Sequence, residues 1–285
     1  FRQYFPAFFE ALPEGKAEFT PEEVAEIAEY VLSHLRDWSG TKFRVEISDT
    51  KSNLSVDQLE RVLYIPRHRT LGPYTREVVE TKVCAHEFVH LFRGVPYEAC
   101  GVPPLSYGFP GYDEAEEGIT TACEYAVRGG EYAPPNANHY VNIGLLYHFG
   151  KDGYDFRKVF EIRRDLTYLS KVNPQSDSAT KAKCFEQAKN QAFTELSRAT
   201  RGSGILPYHK DLIYFNGNQK ILQHIESVIS SGDDNAIAQM IDNFFWSGKT
   251  NPLNQQHMNI VQAAIQRKFG GTISIPGGKF RDRPM

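Results

Sequence analysis

The residues best suited to chemistry fall in one short stretch, Cys84-Ala85-His86-Glu87-Phe88-Val89-His90-Leu91. It carries the pattern H-E-x-x-H. On a helix, His86 and His90 stand one turn apart and point the same way, so both imidazoles can hold one metal ion. Glu87 lies beside the first histidine but is rotated off it, where it can act as general base on a water at that ion. Zinc suits the set, because neutral imidazole and carboxylate are its usual ligands and a catalytic zinc keeps one open position. A pattern this short also arises by chance, so its surroundings carry weight.

Two histidines do not complete a site. A third ligand is expected from Asp113-Glu114-Ala115-Glu116-Glu117-Gly118-Ile119-Thr120-Thr121-Ala122-Cys123-Glu124-Tyr125. Read as a helix, this stretch puts Glu117, Thr121 and Glu124 on one face. Glu117 is the candidate ligand, with Glu124 as a supporting carboxylate two turns on. Glu116 is the reserve. Otherwise Glu114 and Glu116 fit a solvated acidic helix start, which the helix dipole favours.

The elements that must position these residues are legible in outline. Tyr74 to Val83 lacks Pro and Gly and can lead into the histidine helix. Val79 and Val83 share the histidine stripe, and Cys84, Phe88, Leu91, Phe92 and Val95 form the adjoining apolar one, so a mostly buried helix is expected. Gly94 and Pro96 are predicted to end it. Upstream, Thr20-Pro21-Glu22-Glu23 is a capping box with Pro at the first helical position. It opens a helix to about Asp37 that buries Val24, Ile27, Ala28, Val31 and Leu35. Phe43-Arg44-Val45-Glu46-Ile47 and Arg61-Val62-Leu63-Tyr64-Ile65 read as strands, the second stopped by Pro66. That second strand leads towards the metal helix and is expected to border the cleft, where an extended substrate could pair with it.

Residues 1–18 read as an aromatic arm. Residues 95–112, rich in Pro, Gly and Tyr, read as a loop forming a pocket wall. From about His139 the pattern is helical throughout: 139–149, 154–170, 178–200, 208–229, 234–247 and 253–269. The last sixteen residues read as a tail. The fold class is therefore α+β and mostly helical. A small sheet and the metal helices occupy 1–128, and 129–285 forms a helical lobe completing a cleft, unless both make one continuous catalytic domain.

The totals limit the partners. With 285 residues, 41% hydrophobic content and 13% aromatics, the chain can bury a substantial core. A net charge of −3 and a pI near 6.3 make neither nucleic acid nor a membrane surface an expected partner. No apolar run approaches a membrane span. No secretory pattern is visible, and the four cysteines show no framework spacing. Reduced thiols and a cytoplasmic location are expected.

Three motifs in order add a resemblance. His86-Glu87-x-x-His90, then Glu116-Glu117-Gly118-Ile119, then Lys210-Asp211-x-x-Tyr214-x-x-Gly217 with Arg198 and Arg201-Gly202 before it, resemble the microtubule-associated tyrosine carboxypeptidase family. Its bacterial members carry a QEGLA motif. The resemblance covers roughly residues 74–229. It implies a gluzincin-like H-E-x-x-H zinc metallopeptidase holding one zinc ion, in which the acidic residue before Gly, here Glu117, is the third ligand. Characterised members remove a C-terminal tyrosine from a tubulin tail, so a protein or peptide C-terminal tail is the implied substrate. The chain departs from the family in having one residue fewer between its histidines, and Glu-Gly-Ile-Thr where Glu-Gly-Leu-Ala is usual.

Peptide hydrolysis also needs a donor for the oxyanion, and a carboxypeptidase needs a clamp for the terminal carboxylate. Tyr214, in the Lys-Asp-x-x-Tyr motif, is the candidate donor, although a core tyrosine fits equally. Arginine matches two carboxylate oxygens at once, and Arg198, Arg201 and Arg93 are the candidates. Each also fits a structural or surface role. A zinc endopeptidase with the same site, or a non-catalytic binding protein keeping the fold, are the alternatives.

Overall fold

The structure, a computed structural model, describes residues 7–39, 42–57, 59–69, 72–99, 103–129, 137–153, 155–200 and 209–269. It is mostly helical with a small sheet, an α+β arrangement. Two compact units emerge, Phe1–Tyr132 with Asn216–Met285, and Ala133–Phe215. The division expected at residue 128 thus falls close by, but the second lobe does not run to the C-terminus. Residues from Asn216 return to the first unit, because the apolar faces of the last helices are used there.

In the first unit, α1 (Ala7–Glu10) and β1 (Glu18–Phe19) precede α2 (Pro21–Ser39). The capping box forms as read. The Thr20 N–H donates to Glu23 Oε2 at 2.9 Å, and the Glu23 N–H donates to Thr20 Oγ1 at 3.3 Å. The expected face of α2, from Val24 to Leu35, is buried. Strands β2 (Arg44–Ser48), β3 (Ser55–Asp57) and β4 (Val62–Pro66) form a sheet in the order β2-β4-β3. β4 runs parallel to β2 and antiparallel to β3. This overturns one expectation. β4 is the central strand, with both edges already paired, so it has no free ladder for an extended substrate. Its near-continuous burial suits a strand covered on two sides.

β5 (Tyr74–Thr75) pairs with β1, and Thr75 then caps a helical run from Arg76 to Ala99. This run is not uniform. Between α3 (Arg76–Val78) and α4 (Phe88–Ala99), nine residues, Val79–Glu87, are wound as a π-helix. Such wide turns concentrate at functional sites. The run also passes the stop expected at Gly94 and Pro96. A proline inside a helix removes one hydrogen bond and crowds the carbonyl four residues back. Packing of α4 on α2 and its neighbours outweighs that local penalty.

The stretch read as a loop contains α5 (Pro103–Tyr107), followed by α6 (Tyr112–Val127). The first unit continues with the latter part of α10 (His209–Ser230), then α11 (Asp234–Trp246) and α12 (Gln255–Phe269). Its core joins α2, the sheet, the π-wound segment, α4, α6 and α11. The second unit holds α7 (Ala137–Lys151), α8 (Phe156–Lys171), α9 (Ser178–Thr200) and the start of α10, around Leu146, Val159, Leu196 and Ala199. Helix boundaries here fall close to those of the periodic pattern, although the buried faces also carry polar residues such as Asn142, Arg163 and Thr167. Among the described residues no helix is long and apolar enough to cross a membrane. Cys84, Cys123 and Cys184 are free thiols. The tail at 270–285 lies outside the described residues.

Candidate metal centre

The π-wound segment packs on α6, and this contact brings the histidines to the glutamates. Two glycines allow α10 to approach α6 closely. A Cβ on Gly118 would lie 2.4 Å from the carbonyl oxygen of Gly217, and one on Gly217 would lie 1.8 Å from that of Glu114. Both would meet backbone, which cannot yield as a flexible side chain could. Gly217 of the third motif therefore has a packing reason: it lets α10 rest on the turn of α6 that carries Glu117.

His86 Nε2 and His90 Nε2 stand 3.3 Å apart. Glu117 Oε2 lies 3.8 Å from the first and 3.6 Å from the second. A point equidistant from the corners of a triangle with sides of 3.3, 3.6 and 3.8 Å (product of the sides over four times the area) is about 2.1 Å from each. Zinc takes imidazole nitrogen at about 2.0–2.1 Å and carboxylate oxygen at about 2.0–2.2 Å. His86, His90 and Glu117 thus form a triad able to hold a metal ion. Of the two glutamates left open by the sequence, it is Glu117 whose carboxylate oxygen lies with the two histidine nitrogens.

The other nitrogen of each ring is committed. His86 Nδ1–H donates to Glu124 Oε1 at 2.6 Å, and His90 Nδ1–H donates to Glu116 Oε1 at 3.0 Å. Each carboxylate fixes the tautomer that leaves Nε2 as an acceptor. Glu116 was expected at a solvated helix start, but it is 2% exposed. Three donors compensate its burial: His90, Arg93 and Lys249. Glu124, on the face shared with Glu117, takes Lys82 Nζ at 2.5 Å as well as His86.

The charges at the site are unevenly shared. Glu116, Glu117 and Glu124 meet Lys82, Arg93 and Lys249 here. Glu116 and Glu124 take all three, and among the described residues no lysine or arginine pairs with Glu117 or Glu87. Glu117 Oε2 is buried without a hydrogen-bond partner. It faces two acceptor nitrogens, an arrangement that is unfavourable until a cation enters. Burial works against charge on His90, but Glu117 and Glu116 outweigh it and raise the imidazole to about 10. Burial also works against ionised Glu117, yet the two histidines keep its carboxyl below the ordinary range. A proton on His90 is thus one way to answer the buried Glu117 oxygen. A divalent ion in the same place would displace that proton.

Glu87 is 8% exposed and, among the described residues, makes no hydrogen bond or ion pair. An uncommitted carboxylate on the residue next to His86 suits a proton carrier. Thr120, the last residue of Glu-Gly-Ile-Thr, and its neighbour Thr121 both donate to the Glu117 carbonyl, at 3.0 and 2.7 Å. Their hydroxyls brace the ligand's own backbone.

The remaining candidates do not join this cluster on equal terms. Arg93 is fully buried, with Nε 2.6 Å from Glu116 Oε2 and Nη2 2.9 Å from the Thr250 carbonyl oxygen. Its fork is spent on structure, which corrects its reading as a substrate clamp. Arg198 is exposed on α9 and Tyr214 is half-buried on α10, both in the second unit. Arg201 lies outside the described residues. Sequence reasoning missed Lys82, Lys249 and the role of Glu116. Lys82 stands one helical turn before His86, a signal that could have been read. Lys249 has no local signal. Scans of the chain against protein families, curated proteins and solved structures return no match.

Proposed function

We propose that this chain is a zinc metallopeptidase, and that it acts as a carboxypeptidase on protein or peptide tails. One observation carries the reading: two imidazoles and an unpartnered carboxylate converge at zinc-bonding separation, next to a buried, uncommitted Glu87. His86, His90 and Glu117 would hold the ion, which supplies Lewis-acid polarisation of a carbonyl and its attacking water. Glu87 takes the water's proton and passes it to the leaving amine. Its lack of other partners leaves it free to do both. Glu124 and Glu116 hold the imidazole rings in the tautomer that points Nε2 at the ion. The 13–14% exposure of His86, His90 and Glu117 side chains leaves solvent a way in while keeping most water out.

The family resemblance makes a C-terminal tyrosine the first residue to try and a tubulin tail one candidate substrate. Zinc endopeptidase activity is the second reading, and the commitment of Arg93 to Glu116 favours it, because one of three candidate carboxylate clamps is already used. The test is elemental analysis of the purified chain followed by peptide digestion. About one zinc per chain and release of single C-terminal residues supports the carboxypeptidase. Internal cleavage moves the assignment to the endopeptidase. A chain that neither contains nor takes up zinc overturns both.

A further inference from the structure

We infer that Lys249, far from the motifs in sequence, is a positioning residue of the metal centre that acts through Glu116 on His90. The inference rests on the metal-centre reading above and adds a residue to it. Lys249 Nζ lies 3.1 Å from Glu116 Oε1, the oxygen that accepts from His90 Nδ1 at 3.0 Å. The two residues are 133 positions apart, and both side chains are almost wholly buried, at 7% and 3% exposed. Arg93 Nε occupies the other oxygen at 2.6 Å.

The terminal torsion of a glutamate is soft. With Arg93 alone, the carboxylate could turn about that torsion and carry Oε1 away from His90. A second cation on Oε1 fixes the plane of the group. The direction of the bond to His90 is then set, and with it the direction in which Nε2 points.

Lys249 is itself well anchored. Its N–H donates to the Leu105 carbonyl at 2.7 Å, and its carbonyl accepts from the Phe109 N–H at 3.1 Å. Its ammonium lies 5.6 Å from the centre of the Tyr112 ring, one helical turn before Glu116. The flanking Thr250 and Ser247 take the guanidinium of Arg93. The turn after α11 therefore ties α4, α6 and the 105–109 segment together at the side of the site held by His90. His86 is held separately, by Glu124 and Lys82, so the effect should fall on one histidine.

The test is zinc affinity of the full chain, by competition with a chromogenic chelator, with ¹H–¹⁵N spectra of the histidine rings in the zinc-loaded protein. Lys249→Met should weaken zinc binding by about 10–100-fold, the usual effect of losing an outer partner. It should shift the Nδ1–H resonance of His90 and leave that of His86 in place. Lys249→Arg, which keeps the charge, should restore affinity to within a few-fold. Should the methionine variant not fold, Lys249→Gln serves with the same two outcomes. Thr250→Val removes the hydroxyl bond that closes the same turn but keeps the ammonium, and should leave zinc affinity unchanged. If it weakens binding as much as Lys249→Met does, the role is merely structural and the inference falls. Wild-type affinity and an unmoved His90 resonance in Lys249→Met also overturn it, while the metal reading stands because wild type still loads. A wild type that binds no zinc sinks both together.

Discussion

Each unit of the molecule sets a glutamate against a buried arginine, and the two pairs serve different ends. In the second unit, Glu195 Oε2 accepts from Arg163 at 2.9 Å and Asn142 at 3.0 Å, while its Oε1 accepts from Gln191 at 2.7 Å. Both oxygens are answered, and of the answering groups Asn142 keeps its own Oδ1 buried without a partner. In the first unit, Glu116 is answered by Arg93, Lys249 and His90, and the far nitrogen of His90 faces the unanswered Glu117 Oε2. The Glu195 network ends on a neutral amide oxygen, Asn142 Oδ1, and joins helices of one unit. The Glu116 network ends on a carboxylate oxygen that faces two imidazole nitrogens. A carboxylate paired with a buried arginine is therefore a poor marker of function by itself. What sets the second apart is an unpaired carboxylate oxygen converging with two histidines, a set of donor atoms suited to a cation.

The sharpest way to break this comparison is Glu117→Ala. It removes the unanswered acceptor, and zinc affinity should fall more than 100-fold, beyond the loss expected for an outer partner. Unchanged metal content by elemental analysis would end the triad assignment. Next comes Glu87→Gln, which should lower peptide hydrolysis by about 10²–10⁴-fold, the usual weight of a general base. Zinc content should stay at the wild-type level, and full activity in this variant would remove Glu87 from the mechanism.

The two arginines then separate architecture from site. Arg93→Met leaves Glu116 buried with one full cation fewer, and should cost about 3–5 kcal/mol in urea unfolding together with a loss of zinc affinity. Arg163→Met strands Glu195, whose side chain is 23% exposed and so keeps some water. It should cost less, about 1–3 kcal/mol, and leave zinc affinity untouched. Equal effects of the two variants on zinc would erase the distinction.

The smallest effect is on pH dependence. Burial works against ionised Glu116 and Glu124, but their cations and histidines hold both below the ordinary 4.5, Glu124 at about 2. A depressed carboxylate contributes stability that is present above its unfolded value and lost as pH falls through its folded one. The metal-free protein should therefore lose stability between about pH 4.5 and 2. Raised His90 contributes in the opposite sense, with stability present below 6.5 and lost as pH rises towards about 10. Urea midpoints across pH 2–10 would show both limbs, and Glu116→Gln should flatten the acid limb more than Glu195→Gln.

Much of this was written locally. His86, Glu87 and His90 lie within one helical turn, the Thr20–Glu23 box closes over three residues, and the helices of the second unit follow their own periodicity. Such features depend on neighbours a few residues away, so the sequence by itself determined them. It also narrowed the third ligand to two adjacent glutamates. Only the tertiary structure set Glu117 beside the histidines and Glu116 against the buried cations of Arg93 and Lys249, a placement that depends on contacts far apart in sequence. It likewise made β4 a central strand, carried α4 through Pro96 and wound Val79–Glu87 wide. In each case a contact distant in sequence outweighed a local preference worth only a few kcal/mol. Lys249 shows this most plainly. Its local sequence resembles an ordinary turn, and only the return of the chain to the first unit brings its ammonium to Glu116.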